Sequence, residues 1–136
     1  MKFIKDQANL AGKIVLLRLD LNVPLEGNNV LDETRIDKII PVINFLIRSK
    51  SKILIVSHVG RPKGKKISEL SLKPVCANLE KKVNKKIKLI TNDIRLLSKD
   101  KLFLKKNDEI NFLENIRFYK EEEINDTKFA KQLASL

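Results

Sequence analysis

Four short apolar runs, which alternate with segments of helical periodicity, constrain this fold more than any other feature of the sequence. The runs cover residues 14–17, 53–56, 87–90 and 110–113. Each has the length of a strand, and continuous apolar composition is typical of strands that are covered on both faces. This order predicts an α/β fold with a doubly wound, Rossmann-like parallel sheet in a three-layer α/β/α arrangement.

Three segments between and after these runs carry the apolar spacing of amphipathic helices. The first spans residues 36–47 with Asp32 as a candidate N-cap, and the second spans residues 72–83. The third contains Phe129 and Leu133, and Asp126 is its candidate N-cap. Because the sequence stops within this last helix, we expect residues 1–136 to form one incomplete domain.

Composition limits the class of protein. The length suits a single domain, and an apolar content of 43% allows a hydrophobic core. Cys76 is the only cysteine, which excludes an internal disulfide, and we interpret it as a buried hydrophobe because no activating partner lies nearby in the sequence. No secretory signal or membrane-spanning run is recognisable, so we predict a cytoplasmic protein without a membrane partner.

The net charge of +11 is concentrated in one part of the chain. Residues 61–106 hold fifteen Lys or Arg against four acids, whereas the remaining residues hold thirteen of each. Such a surplus favours anionic partners, nucleic acid included, although a solvated lysine-rich face is the simpler interpretation. A basic nucleic-acid-binding domain therefore stays open as an alternative, but it lacks interleaved aromatic residues and a recognised motif.

Polar segments follow three of the predicted strands. They are residues 18–24, 57–62 and 114–119. In open parallel sheets ligands bind outside the carboxyl ends of the strands, so these segments are the candidate site. Structural roles are the alternative, since Asp20 and Asn22 often close turns, Gly60 suits a turn, and a lone histidine such as His58 is more often structural than catalytic.

The choice of arginine supports an anion site. The chain has 22 Lys and six Arg, yet Arg35, Arg61 and Arg117 lie in loops or at a helix start. The planar guanidinium binds carboxylate or phosphate through two hydrogen bonds. In the first helical turn Arg35 opposes the helix dipole at a cost of about 0.3–1 kcal/mol, so its replacement by Ala should stabilise the fold slightly and weaken anion binding.

Other patterns predict no further site. Residues 121–123 are three consecutive glutamates, which we interpret as a solvated acidic run and not as a metal site. No glycine-rich nucleotide-binding motif of the G-x-x-x-x-G-K-[ST] or G-x-G-x-x-G type occurs.

Taken in order, the motifs resemble those of phosphoglycerate kinases. They are RLDLNVP, DETRI, SHVGRPKG, SLKPV and FLENIRFYKEEEINDTKFAKQLASL, and they extend from near residue 13 to residue 136. The resemblance implies a monomeric, two-domain enzyme of glycolysis that transfers a phosphoryl group between 1,3-bisphosphoglycerate and ADP, giving 3-phosphoglycerate and ATP. This chain would be the N-terminal substrate-binding domain, and Mg-ADP or Mg-ATP would bind a C-terminal domain that it lacks.

The resemblance also implies residue roles. Asp20 and Asn22 would hold the carboxylate and hydroxyl end of the phosphoglycerate, and Arg35 would act on the transferred phosphoryl group as the catalytic residue. The phosphate would be bound by a basic group comprising His58, Arg61 and Arg117. Leu21, Val59 and Gly60 complete the expected substrate set, although Leu21 and Val59 differ from the residues common in the family. We expect the chain alone to be inactive, and a domain fragment without function is the remaining alternative.

Overall fold

The computed structural model describes residues 2–104 and 109–136, which form six strands, five α-helices and short 3-10 turns. The strands are β1 (Ile14–Arg18), β2 (Leu25–Glu26), β3 (Asn29–Val30), β4 (Lys52–Val56), β5 (Lys88–Ile90) and β6 (Ile110–Leu113). The helices are α1 (Thr34–Arg48), α2 (Lys73–Val83), α3 (Lys99–Leu102), α4 (Lys120–Glu123) and α5 (Thr127–Ala134). All four predicted strands and all three predicted helices are present.

A parallel sheet with helices on both faces confirms the predicted fold class. Its strand order is β1-β4-β6-β5, while β2 and β3 pair separately as an antiparallel hairpin that the apolar pattern did not predict. On one face Ile53 and Ile55 pack in a core shared with α1 and α2. On the other face Leu54 and Val56 pack in a core that includes Phe129 of α5. Three α/β/α layers result.

The first strand corrects one prediction. Among the described strands β1 pairs only with β4, so it lies at an edge of the sheet. Val15 and Leu17 pack against the core, but Ile14 and Leu16 are 36% and 43% exposed. The prediction that this run is covered on both faces is therefore wrong, because an apolar run does not reveal whether a helix lies above each face.

The predicted N-cap residue is correct for one of the two helices for which one was predicted. Asp126 caps α5, since its Oδ1 atom accepts the Phe129 N–H at 2.7 Å. In α1 the N-cap position is occupied by Glu33, which makes no side-chain capping bond. Asp32 lies one residue earlier than an N-cap, although its Oδ1 still accepts the Thr34 N–H at 2.8 Å.

Cys76 lies in the core, as predicted for a buried hydrophobe. Burial raises the pKa of its thiol to about 12, so the thiol stays protonated and unreactive at neutral pH. Across the described residues, no helix is long and apolar enough to cross a bilayer.

The sheet contains a switch point between two adjacent strands, β4 and β6. After β4 the chain enters α2 on one face, whereas after β6 it enters α4 and α5, and α5 packs on the opposite face. Neighbouring strands whose connections diverge in this way leave a crevice at their carboxyl ends, where open α/β sheets bind ligands. We call this space the crevice.

Candidate functional site

The three polar segments meet at the carboxyl edge of the sheet, as their positions after β1, β4 and β6 predict. Asn22 Oδ1 accepts the Gly60 N–H at 2.9 Å, which joins the first segment to the second. The Ile116 N–H donates to the Ser57 carbonyl at 3.1 Å, which joins the third to the second. These bonds fix the relative position of the loops around the crevice.

Asp20 and Arg35 form an ion pair at the β1 side of this edge. Slight burial raises the pKa of Asp20, but the Asn22 N–H and the Arg35 guanidinium together outweigh it and hold the pKa below its usual value. The carboxylate is therefore ionised. The ion pair also changes the stability expected for Arg35→Ala. The variant loses this exposed ion pair, which offsets the small gain in stability from removing a cation at the start of the helix.

His58 is half-buried at the carboxyl end of β4. Burial is the main cause that lowers its pKa, and the nearby Arg117 charge lowers it further, while Glu122 and Asp20 act in the opposite direction. The imidazole is therefore mainly neutral at pH 7 in the free protein. A bound anion would favour its protonation.

Arg117 follows β6 and is 29% exposed. Its Nε atom lies 3.5 Å from Glu122 Oε2, and Glu122 Oε1 accepts a hydrogen bond from Arg18 Nη2 at 2.6 Å. Glu122 is only 12% exposed, so the interpretation of residues 121–123 as a solvated run is wrong for this glutamate. Glu122 is shielded because it contacts Arg18 and Arg117, which lie in distant parts of the sequence. Three consecutive glutamates in the sequence do not indicate such contacts.

Arg61 begins the basic loop, residues 61–66, and is exposed. Within the described residues it takes part in no ion pair. The loop is tied to the β6 segment, because the Gly64 N–H donates to the Arg117 carbonyl at 3.1 Å. Arg61 and Arg117 therefore belong to two connected loops next to His58.

A model of the family described as phosphoglycerate kinase matches residues 4–136, which is nearly the whole chain. The chain belongs to the phosphoglycerate kinase family. A phosphoglycerate kinase from Synechococcus elongatus is 42% identical over 130 residues, which are 95% of this chain and 32% of that protein. One from Wolbachia pipientis is 44% identical over 131 residues, or 96% of this chain and 33% of that protein.

Solved phosphoglycerate kinase structures share the fold. The Coxiella burnetii structure superposes with a TM-score of 0.84 at 36% identity, covering 98% of this chain and 32% of that chain. The Pyrococcus horikoshii structure gives 0.79 at 28% identity, covering 98% and 34% respectively. The chain thus spans about a third of the length of these phosphoglycerate kinases.

Two members of the expected phosphoglycerate kinase substrate set have side chains in the core. Leu21 is 0% and Val59 3% exposed. The Leu21 N–H donates to Ser57 Oγ at 3.1 Å, and the Val59 carbonyl accepts a hydrogen bond from Asn115 Nδ2 at 2.8 Å. Their side chains therefore support the neighbouring loops and do not form part of a ligand surface.

Asn115 is a supporting residue that sequence reasoning did not single out. It is completely buried, and its Nδ2 donates to the Val59 and Leu70 carbonyls at 2.8 and 2.9 Å. Its Oδ1 accepts the Arg117 N–H at 3.1 Å. The only available signal was its place in the polar segment that follows a buried strand, since none of its partners is recognisable from the sequence.

Glu114, immediately before it, links the same segment to α2. Its Oε1 accepts the Leu72 N–H at 2.7 Å, and its Oε2 accepts a bond from Ser71 Oγ at 2.7 Å. A carboxylate at this end of a helix is favoured by the helix dipole. The segment that follows β6 is thus held by the part of the chain between β4 and α2.

Proposed function

We propose that this chain provides the phosphoglycerate-binding site of a phosphoglycerate kinase. The observation that carries the proposal is the position of His58 and Arg117 on the two sides of the switch-point crevice, with Arg61 on the loop that the Gly64 N–H joins to Arg117. Such a crevice is where open α/β sheets bind ligands. The cationic groups suit a phosphate, because guanidinium donates paired, charge-assisted hydrogen bonds to phosphate oxygens.

The β1 side of the site suits the other end of 3-phosphoglycerate. Asn22 uses its Oδ1 to bind the Gly60 N–H, and its Nδ2 makes no hydrogen bond within the described residues, so that atom can donate to a carboxylate oxygen. The ionised Asp20 can accept a hydrogen bond from the hydroxyl group. These assignments place the carboxylate near Asn22 and the phosphate near Arg117.

Arg35 is the residue that we assign to the transferred phosphoryl group. It contacts Asp20, the residue assigned to the carboxylate end, and this end of 1,3-bisphosphoglycerate carries the phosphoryl group that passes to ADP. Phosphoryl transfer relies on positioning and on charge stabilisation at the oxygens of the moving group. Arg35 would supply part of that charge.

We place the Mg-nucleotide on a domain other than this one. In the described residues no three His, Cys, Asp or Glu side chains cluster as a metal site would need, so no step is assigned to a metal here. We expect the isolated chain to form no ATP from 1,3-bisphosphoglycerate and ADP, and ATP formation would contradict this placement. A monomeric state and a cytoplasmic location remain part of the proposal.

A titration followed by NMR tests the proposed site, because His58 is the only histidine and gives one imidazole signal. We expect 3-phosphoglycerate to shift this signal and to bind more tightly than glycerol 3-phosphate, which lacks the carboxylate. Arg117→Ala should weaken binding roughly 10- to 100-fold through lost charged hydrogen bonds. Arg48→Ala is the matched control, since exposed Arg48 ends α1 at the opposite edge of the sheet.

Two results would contradict the proposal. One is equal affinity for 3-phosphoglycerate and inorganic phosphate, and the other is equal weakening by the two arginine variants. Binding of a single-stranded oligonucleotide that persists at moderate salt, without a response to 3-phosphoglycerate, would favour the nucleic-acid alternative.

A further inference from the structure

Glu122 joins two arginines that are far apart in the sequence. It lies in α4, while Arg18 ends β1 and Arg117 follows β6. Its Oε1 accepts from Arg18 Nη2 at 2.6 Å, and its Oε2 lies 3.5 Å from Arg117 Nε. One carboxylate thus connects the outer strand of the sheet with the loop at the crevice.

The two neighbouring glutamates do not share this position. Glu121 is 37% exposed and lies 3.7 Å from Arg95 on another part of the surface, while Glu123 is exposed and forms no ion pair within the described residues. Glu122 is 12% exposed. The three glutamates therefore differ in surroundings although they are identical in sequence, which makes Glu123 a matched control for Glu122.

The guanidinium of Arg117 is held on one edge only. Its Nε atom is buried and makes no hydrogen bond of good geometry within the described part of the chain, where Glu122 Oε2 is the carboxylate oxygen paired with it. Its two Nη groups make no hydrogen bond or ion pair with any described residue. A guanidinium held at Nε keeps its Nη atoms available for an anion.

We propose that Glu122 is a positioning residue for Arg117, holding the Nε edge so that the Nη groups are presented to the ligand. The inference rests on the proposed function for its ligand. Arg18 acts through Glu122, because it fixes the carboxylate from the other side. Preorganised groups of this kind raise affinity by removing the cost of ordering a side chain on binding.

The affinity test separates positioning from simple electrostatics. Replacing Glu122 or Glu123 by Gln makes the site more positive by one charge, so electrostatics alone predicts equal or tighter binding of 3-phosphoglycerate in both variants. Positioning predicts that Glu122→Gln weakens binding roughly 2- to 10-fold, which is the cost of ordering one mobile side chain on binding. Glu123→Gln should bind at least as well as the unmodified chain. Equal or tighter binding by Glu122→Gln would overturn the proposal.

A second readout does not need the ligand. NMR relaxation of the Arg117 15Nε–H group should show an ordered side chain in the unmodified chain and in Glu123→Gln. The same group should become mobile in Glu122→Gln. The pKa of His58 should fall further in Glu122→Gln, because Glu122 is one of the two charges that raise it. An unchanged Arg117 signal would contradict the role of Glu122, even if 3-phosphoglycerate fails to bind and the proposed function itself is wrong.

Arg18→Gln provides an independent variant in case Glu122→Gln perturbs folding, which a urea transition would reveal. It removes the second anchor of the carboxylate and leaves Glu122 intact. We expect Arg117 to become partly mobile and binding to weaken less than in Glu122→Gln. Arg48→Gln carries the same charge change at the opposite edge of the sheet and should leave the Arg117 signal unchanged, whereas identical effects of the two variants would oppose the proposal.

Discussion

At the scale of single residues, opposing effects act on the pKa of His58, which lies at the crevice. Burial and Arg117 lower the pKa of His58, whereas Glu122 and Asp20 raise it, and the net result is a pKa below the usual 6.5. A trianionic ligand would add a large opposing effect. His58 should therefore take up a proton when the ligand binds.

This balance predicts a pH-dependent affinity. The pKa of His58, measured by NMR, should be below 6.5 in the free chain and higher with 3-phosphoglycerate bound, so affinity should increase as the pH falls through this range. The phosphate of the ligand titrates near pH 6 as well, and His58→Gln reports that contribution alone. A pH profile that is identical for the unmodified chain and for His58→Gln would contradict the prediction.

The same shift has the opposite consequence for folding. Because the folded chain disfavours the imidazolium, the unfolded chain binds the proton more readily as the pH falls through 6.5. Stability is thus lost toward acid pH and regained by ligand binding.

Asn115 is the second residue at this scale, and its loss should be costly. Asn115→Ala leaves the buried Val59 carbonyl and the partly buried Leu70 carbonyl without their donor. A buried group without a partner costs about 1–3 kcal/mol, and a partly buried group costs less. We expect a loss of about 2–4 kcal/mol in the free energy of unfolding, measured by urea denaturation. Asn92→Ala is the control, because Asn92 is exposed. A loss below 1 kcal/mol would show that the loops do not depend on these bonds.

At the scale of elements, the connections between loops matter as much as the strands. The basic loop contacts the start of α4 at Gly64, which has a φ of +72°. A Cβ atom at this position would lie 2.8 Å from Lys120 Cβ and 3.0 Å from Lys120 Cα. Only glycine therefore allows the loop to approach α4 this closely, and the same glycine donates its N–H to the Arg117 carbonyl.

Gly64→Ala and Gly12→Ala form a matched pair, since both glycines have a φ of +72° but nothing lies within 4 Å of a Cβ at Gly12. Gly12→Ala should cost about 1 kcal/mol for the left-handed backbone alone. Gly64→Ala should cost about 1–3 kcal/mol more through overpacking, and should also weaken 3-phosphoglycerate binding. Urea denaturation and the His58 titration measure the two effects. Equal behaviour of the variants would show that the loop shifts freely.

The elements also show what the sequence could predict. Strands, main helices and the meeting of three polar segments followed from apolar periodicity and from the rule that parallel strands share one carboxyl edge. The exposed face of β1 did not follow, because Ile14 and Leu16 look the same whether or not a helix covers them. The Arg18–Glu122 contact joins residues 104 positions apart, and no local pattern encodes such a pairing.

At the scale of the whole molecule, not every cation that contributes to the net positive charge is available to a ligand. Lys105 and Lys106, part of the basic surplus of residues 61–106, lie outside the described residues. Lys82 forms ion pairs with Glu33 and Asp37 on the surface between α1 and α2, so its charge is already neutralised by carboxylates. The net charge therefore overstates the number of cations that are available to a ligand, and the arrangement of a few arginines is more informative.

A thermal melt tests whether the molecule behaves as one folded, ligand-binding domain. We expect a cooperative transition, and 3-phosphoglycerate at about 100 times its Kd should add about 2.7 kcal/mol of stability, because it binds only the folded chain. For a chain of this size that corresponds to a rise of roughly 8–10 °C in Tm. Glycerol 3-phosphate at equal ionic strength should give a smaller rise, and Arg117→Ala should remove most of the effect while keeping the transition. Absence of any transition would favour a non-functional fragment. A cooperative transition whose Tm does not change with 3-phosphoglycerate would show a folded chain and contradict the phosphoglycerate site. The melt therefore distinguishes a chain that does not fold from a folded chain that does not bind this ligand.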